Sequence, residues 1–253
     1  MQVDLHIHTR FSDGEITIFP DIASTFKGYG LISFTDHEHI FDPSSIIASD
    51  YVRFISGVEI CCHHKESNIE ILGYNFDATN DEIVTLVDRI KNLRICAIKK
   101  ILQKNGFSSD SLPQNPFRIN VALPDEVNRS EFWQYHNFEY KKICHSVSSD
   151  EVIKAIGAAG GVPVFAHPME SLVGKSAKEV EDFILSLNLN TIELITPKHR
   201  LTDYLLIKDI IDRNHLSASI GSDSHKLKLA RIPYEYDLNE RPFEWIRNNM
   251  SHY

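Results

Sequence analysis

Nowhere do the 253 residues offer an apolar, charge-free stretch long enough to cross a bilayer, which argues against a helical membrane protein. No charged-then-apolar leader precedes the first strand pattern. The four cysteines, Cys61, Cys62, Cys96 and Cys144, lack disulfide-framework spacing. A reducing cytosol is therefore the expected compartment. Positive charge is also scarce: 26 Lys and Arg stand against 35 Asp and Glu, a net charge of −9. That balance argues against a general duplex-coating role, although bound cations would invert the sign locally and attract phosphate. Gly-rich phosphate loops, internal repeats and low-complexity tracts are all missing.

What is present is an ordinary globular composition, long enough for one large α/β domain or two small ones, with 13 histidines. Apolar runs of strand length recur at Val3–Ile7, Leu31–Thr35, Val52–Ile60, Ile69–Phe76, Val162–Ala166, Thr191–Ile195 and Ser217–Ile220. Helical patterns fall between most of them, at about Phe19–Tyr29, Ser44–Ser49, Asp81–Lys104, Asp150–Ala159, Ala177–Leu187 and Leu201–Arg213. Asn80 suits an N-cap for the long helix and Gly106 its stop. Alternating strands and helices predict a mostly parallel sheet, and about seven strands suit a closed or nearly closed α/β barrel. The gap between Ile60 and Ile69 is too short for a crossover helix, so those two strands should form an antiparallel hairpin. Residues 107–148 fit neither period and read as an insertion or cap over one rim. Its cluster of Phe132, Trp133, Tyr135, Phe138 and Tyr140 suits a small core of its own, or a base-stacking platform.

The first fourteen residues carry the densest chemistry. His6 and His8 stand two apart on a predicted strand, so both imidazoles project from one face and two nitrogens can reach one cation. A half-buried, hydrogen-bonded pair is the competing reading. Asp13 follows after a short loop. Further metal-type residues close later strands: Asp36-His37, Glu59, His167-Pro168 and Asp223-Ser224-His225. The C-terminal rim of parallel strands is where functional groups gather. Five strands delivering His, Asp or Glu to one rim is a poor coincidence. Glu70 begins its strand, and the hairpin would bring it beside Glu59. Two neighbouring carboxylates repel unless cations lie between them.

These strings, Asp4-Leu5-His6-Ile7-His8-Thr9, Ser12-Asp13-Gly14, Thr35-Asp36-His37, Gly57-Val58-Glu59, Ala166-His167-Pro168 and Gly221-Ser222-Asp223-Ser224-His225, resemble those of the PHP (polymerase and histidinol phosphatase) superfamily. They follow the family's order over nearly the whole chain, 107–148 matching least, and look most like its stand-alone phosphoesterases. The resemblance implies a single domain over 1–253, a distorted seven-stranded (β/α) barrel holding three divalent ions. It also implies the ligand sets: His6, His8, Asp223 and a bridging Glu59 for the first ion; Glu59, His167 and Glu70 for the second; Asp13, His37 and His225 for the third. Glu70 stands where relatives usually have His, and oxygen for nitrogen favours harder ions, Mn²⁺ ahead of Zn²⁺ or Fe.

The implied activity is hydrolysis of a phosphomonoester of a small metabolite or nucleotide, by water ionised between two ions, with no Ser or Cys nucleophile. Alternatives within the class are a histidinol-phosphatase and a short-oligonucleotide exonuclease; a non-catalytic metal-holding scaffold is the alternative of another class. The expected partner is a small phosphorylated substrate or a short oligonucleotide, with no membrane and no evident protein partner. In Thr196-Pro197-Lys198-His199-Arg200, His199 and Arg200 are candidates for phosphate contact, and His199 for the acid that protonates the leaving group. Asp36 suits an acceptor that orients an imidazole. Arg94 and Lys99 read as a solvated helix face, and Arg118 and Arg129 are open to either reading. Cys61-Cys62-His63-His64 reads as a hairpin tip. The Arg-Pro-His string common in nucleotide-directed relatives is missing.

Overall fold

Three short parallel strands open the fold, β1 (Gln2–Asp4), β2 (Gly30–Ile32) and β3 (Val52–Phe54), paired in that order. The computed structural model describes residues 2–16, 30–45, 52–104, 106, 117, 128–226 and 237–250. The expected helix over 19–29 and most of 44–49 lie outside them, as does Arg118. Ile7, Ile16, Ile32, Phe34, Phe41 and Val52 form the small core under this sheet.

The run expected as one strand over 52–60 is two. Ser56 turns the chain, its Oγ accepting from Phe76 N (2.7 Å) and donating to Phe76 O (2.6 Å). A Cβ at Gly57 would stand 2.1 Å from Ser33 Oγ and 2.3 Å from Phe34 O. Glycine alone therefore lets the chain cross here from the first sheet to the second. The second sheet runs in the order β4 (Gly57–His64), β5 (Ser67–Tyr74), β6 (Val162–Phe165), β7 (Thr191–Ile195) and β8 (Ser217–Ile220). β5 is antiparallel to both neighbours, and β6, β7 and β8 are parallel. The hairpin is as expected but longer than expected: Lys65-Glu66 forms the turn, so Cys61–His64 belong to the strand.

Two lines of backbone contact join the sheets. On one side Leu5 N donates to Ile220 O (3.0 Å) and His8 N to Ser224 O (2.9 Å). On the other Glu38 N donates to Glu59 O (2.9 Å) and Glu59 N to Asp36 O (3.3 Å). The molecule is thus mixed α/β; among the described residues eight strands stand in a three-plus-five arrangement and no single closed sheet forms. Among the described residues the expected seven-stranded closure is not seen as one sheet: the chain turns at Ser56 between β3 and β4, and isolated bridges join the two sheets.

Among the described residues seven α-helices surround the larger core: α1 (Asp81–Lys104), α2 (Arg129–His145), α3 (Ser149–Ala158), α4 (Pro168–Ser171), α5 (Ala177–Ser186), α6 (Leu201–Arg213) and α7 (Glu244–Met250). Asn80 Oδ1 accepts from Glu82 N (3.0 Å) at the start of α1, and Gly106 follows its end at φ +79°. The buried stripe of α1 includes Arg94 along with Ile83, Val87, Ile90, Ile98 and Ile101. Arg94 is therefore no part of a solvated face, whereas Lys99 is exposed.

Helix α2, within the segment expected to be irregular, packs on α1 and β4. Phe132 and Ile143 are buried, Tyr140 packs against the main core, and Phe138 is 57% exposed with Lys142 Nζ 4.1 Å from its ring. The aromatics therefore do not form one separate core; the side chains of Trp133 and Tyr135 lie outside the described set. Arg129 opens the helix and is exposed. No described helix is long and apolar enough to cross a membrane.

Candidate metal centre

Each of the nine candidate ligands sits on a segment that meets a seam or the strands beside it. His6 and His8 continue β1, with Asp13 on the loop that follows. His37 lies beyond β2, Glu59 on β4, Glu70 on β5, His167 after β6, and Asp223 and His225 after β8. Glu59 is the third residue of its strand, not beyond its end, because β4 and β5 both run on into the hairpin.

Glu59 is the hub. Its carboxylate is 1% exposed and lies 3.4 Å from His6 Nε2, 3.2 Å from His8 Nε2, 3.2 Å from His37 Nδ1 and 3.2 Å from His167 Nε2. Asp223 Oδ1 comes within 3.6 Å of His6 Nε2 and 3.2 Å of His8 Nε2, and these two nitrogens are themselves 3.2 Å apart. Glu70 faces His37 Nδ1 at 3.8 Å and His167 Nε2 at 3.5 Å. Asp13 Oδ2 lies 3.3 Å from His225 Nε2 and 3.9 Å from His37 Nε2. His37 therefore turns one nitrogen toward Asp13 and the other toward Glu59 and Glu70.

Among the described residues four groups of side chains offer ligand atoms within 4.8 Å of one another: His8, Asp13, His37 and His225; His6, His167 and Asp223; His6, His8 and Glu59; His37, Glu59 and Glu70. Asp13, His37 and His225 come together as the resemblance implies. Glu70 groups with His37 and Glu59, while His167 stands near both carboxylates and groups with Asp223. The donor set suits divalent ions, imidazole nitrogens alternating with carboxylate oxygens. His37 Nδ1 and Glu59 Oε2, although 3.2 Å apart, and His167 Nδ1 are buried without a well-directed hydrogen bond, an arrangement that costs free energy unless something binds there.

The imidazoles are held in defined orientations. His6 Nδ1 lies 2.9 Å from Glu193 Oε1, and Glu193 Oε2 accepts from His167 N at 2.7 Å. Glu193, fully buried on β7, thus fixes one ligand's ring and another's backbone. His8 Nδ1 lies 3.4 Å from Ser12 Oγ, which donates to Asp36 Oδ1 at 2.6 Å. Asp36 also accepts from Thr9 N (2.7 Å), Thr9 Oγ1 (2.6 Å) and Ser12 N (3.1 Å). It therefore bonds the loop, and orients an imidazole only through Ser12. His225 Nδ1 donates to Asp223 O at 3.0 Å. In each case Nδ1 is engaged and Nε2 faces the centre, the arrangement in which outer carboxylates and carbonyls set a ligand's tautomer. His167 and Asp223 adopt φ +24° and +48°, positions of backbone strain that cluster at functional sites.

Sequence reasoning missed Glu193, though an acid alone inside the apolar run Thr191–Ile195 is a signal, since a buried charge needs partners. It also passed over Lys198, a cation close to the centre. Lys198 Nζ stands 3.1 Å from Asp223 Oδ2 and 3.1 Å from Glu170 Oε1, and is partly exposed. His199 is 3% exposed, its Nδ1 donating to Leu194 O at 3.0 Å, and burial lowers its pKa. Arg200 is exposed and heads α6, its N–H donating to Asp203 Oδ2. His63 and His64 bond Val147 O, Ser149 Oγ and Ser186 Oγ, and take no part in the centre.

Electrostatics show how far the centre depends on positive charge. Burial opposes a charged His8, yet Asp223 and Glu59 overcome it and push its pKa up to about 10. His167, likewise buried, is raised to about 9, mainly by Glu59. Burial should raise Glu59 and Asp13, but the surrounding imidazoles hold both below the usual carboxylate range. Without divalent ions, then, the folded chain keeps His8 and His167 protonated well above 6.5, where the unfolded chain releases those protons. The stability they contribute is complete below pH 6.5 and is lost as pH rises toward 9 to 10. The melting temperature of chelated protein should fall across that window, and fall less with saturating Mn²⁺, which takes the place of the protons. Equal pH slopes with and without Mn²⁺ would contradict this account.

No family model matches the chain. A 5'-3' exoribonuclease of Haemophilus influenzae is 25% identical over 250 residues, 88% of this chain and 89% of that protein. A 3',5'-nucleoside bisphosphate phosphatase of Chromobacterium violaceum is 24% identical over 249 residues, 88% of this chain and 87% of that protein. Among solved structures, an amidohydrolase from Chromobacterium violaceum with sulfate bound superposes with a TM-score of 0.69 at 21% identity. That match covers 98% of this chain and 96% of the other, and shows likeness of fold.

Proposed function

We propose that this chain, whose motifs resemble those of the PHP superfamily and whose named relatives are consistent with it, is a metal-dependent phosphoesterase acting on a phosphomonoester of a small metabolite or nucleotide. The observation that carries the reading is the convergence on Glu59 of four imidazoles, with Asp223, Glu70 and Asp13 completing a ring of carboxylates around them. His6, His8, Asp223 and Glu59 would hold one ion, Glu59, His167 and Glu70 a second, and Asp13, His37 and His225 a third. Mn²⁺ is favoured by the oxygen-rich second set. Bound there, the ions would supply the Lewis acidity that activates water and offsets charge on the phosphoryl group.

The chain's own residues do the positioning. Glu193 and the Ser12–Asp36 pair keep the Nε2 lone pairs of His6 and His8 directed inward. We assign the phosphate contact to Lys198, in place of His199 and Arg200, because its ammonium already lies against a ligand carboxylate and is partly open to solvent. Developing charge on the phosphate oxygens is what such a fixed cation stabilises. We read 1–253 as one domain, its two sheets forming a distorted barrel. We read the described part of the 107–148 segment as a cap on one rim: Phe117 stacks on His37 at 5.3 Å, and Tyr140 touches Glu70.

A second reading, removal of nucleotides from a short oligonucleotide, is favoured by the likeness to the exoribonuclease. A Mn²⁺-supplemented phosphate-release screen separates the two. It should include nucleoside mono- and bisphosphates, histidinol phosphate, sugar phosphates and short oligonucleotides, with nucleotide release followed for the last. Turnover of a small phosphomonoester is the expected result. Shortening of oligonucleotides with weak action on small esters would select the second reading, and inertness toward all of them in ion-loaded protein would select the scaffold.

A further inference from the structure

Of the two candidate ligands that stand within a strand, Glu70 is the more exposed, its side chain 23% against 1% for Glu59. A carboxylate can turn about its last bond and present either oxygen, or both, to a cation. Here one oxygen is taken: the Tyr140 hydroxyl of α2 donates to Glu70 Oε1 at 2.8 Å, while Glu70 Oε2 faces His167 Nε2 at 3.5 Å. The Tyr140 ring is itself fixed. The Arg94 guanidinium lies 4.6 Å from its centroid and 4.2 Å from that of Phe117. Arg94 is 3% exposed and donates through Nε (3.0 Å) and Nη2 (2.7 Å) to Glu38 Oε2. Glu38 is anchored in turn by its own N–H on Glu59 O and by Cys61 N on its other oxygen (3.4 Å).

The chemistry of this chain of contacts is selective. An arginine on Glu70 would neutralise the carboxylate and weaken it as a ligand. Arg94 is instead held by Glu38, and the group that reaches Glu70 is a neutral hydroxyl, which orients the carboxylate and leaves its charge intact. We propose that Tyr140 is the positioning residue for Glu70, with Glu38 and Arg94 bracing its ring, so that α2 forms part of the metal centre. The inference rests on the reading of Glu70 as a metal ligand.

The test is Mn²⁺ stoichiometry and affinity, by elemental analysis and chelator competition, on wild type, Tyr140→Phe, Glu70→Ala and the double variant. Phenylalanine keeps the packing against Arg94 and removes only the hydroxyl, and an unchanged melting temperature of the chelated protein confirms that the fold is kept. Tyr140→Phe should weaken one ion on the order of tenfold and leave the others in place. Glu70→Ala should lose that same ion, and the double variant should match Glu70→Ala. Wild-type affinities in Tyr140→Phe, or a further loss on adding it to Glu70→Ala, would overturn the positioning role alone. A wild-type protein that binds no divalent ion would overturn the metal centre, and this inference with it.

Discussion

Glu59→Ala is expected to remove at least one bound ion per chain and to lower phosphate release on the order of 10³-fold or more, the scale of losing a preorganised electrostatic partner. No other candidate ligand meets four imidazoles. At 3.2 to 3.4 Å from His6, His8, His37 and His167, its carboxylate is the negative charge around which the nitrogen donors are packed. Alanine leaves His6 Nε2 and His8 Nε2 only 3.2 Å apart with one carboxylate fewer between them. Cations brought that close repel more strongly without the anion. Glu59→Gln separates charge from shape, because the amide fills the same space and still offers an oxygen. If charge is what matters, glutamine should behave nearly as badly as alanine. Elemental analysis beside a steady-state rate measures both effects, and full ion content with a wild-type rate in Glu59→Ala would mean that the centre is not organised around this residue.

Glu193→Gln is expected to weaken ion binding by about 10- to 100-fold, the range found when a hydrogen-bond partner of a ligating histidine is lost, although Glu193 is itself no candidate ligand. Its two oxygens serve two donors, His6 Nδ1–H and His167 N–H. Glutamine has one oxygen and one NH₂. If the oxygen keeps the His167 amide, the NH₂ faces His6 Nδ1 and asks it to be an acceptor. The imidazole proton then moves to Nε2, the nitrogen directed at the ion. If the oxygen keeps His6 instead, a buried backbone N–H faces another donor, at a cost of about 1–3 kcal/mol. Glutamine cannot satisfy both. The variant should therefore show weakened Mn²⁺ affinity, a lowered melting temperature, or a measure of each, and wild-type values for both would show that the carboxylate does not set the His6 tautomer.

Much of this was legible in the residues. Leu201–Arg213 and Asp81–Lys104 form helices with the predicted bounds, because each has a clean apolar period. The hairpin followed from loop length alone, and it brought Glu70 to the centre as argued. What failed has local causes. Val52–Ile60 looked like one strand because apolar content cannot report the turn that Ser56 makes by bonding Phe76, twenty residues away. Arg94 looked solvated because its charge outweighed its place on the stripe running from Ile83 to Ile101. Its partner, Glu38, gave no local hint of the pairing. Lys198 and Tyr140 each sat inside a string that had drawn attention, but distance to a carboxylate is a property of the folded chain.

The two sheets share narrow backbone seams and a patch of core where Val3, Leu5, Leu31 and Ile55 pack with the second sheet, and the candidate ligands are distributed across that junction. His6, His8, Asp13 and His37 belong to extensions of the first sheet; Glu59, Glu70, His167, Asp223 and His225 belong to the second. Ions shared among these residues would act as rivets. Parting the halves would mean breaking coordination as well as the backbone bonds of the seams and the packing of Val3, Leu5, Leu31 and Ile55, so occupancy and cohesion would be linked by mass action. The same atoms that would do chemistry would then decide how firmly the first fifth of the chain is fastened to the rest.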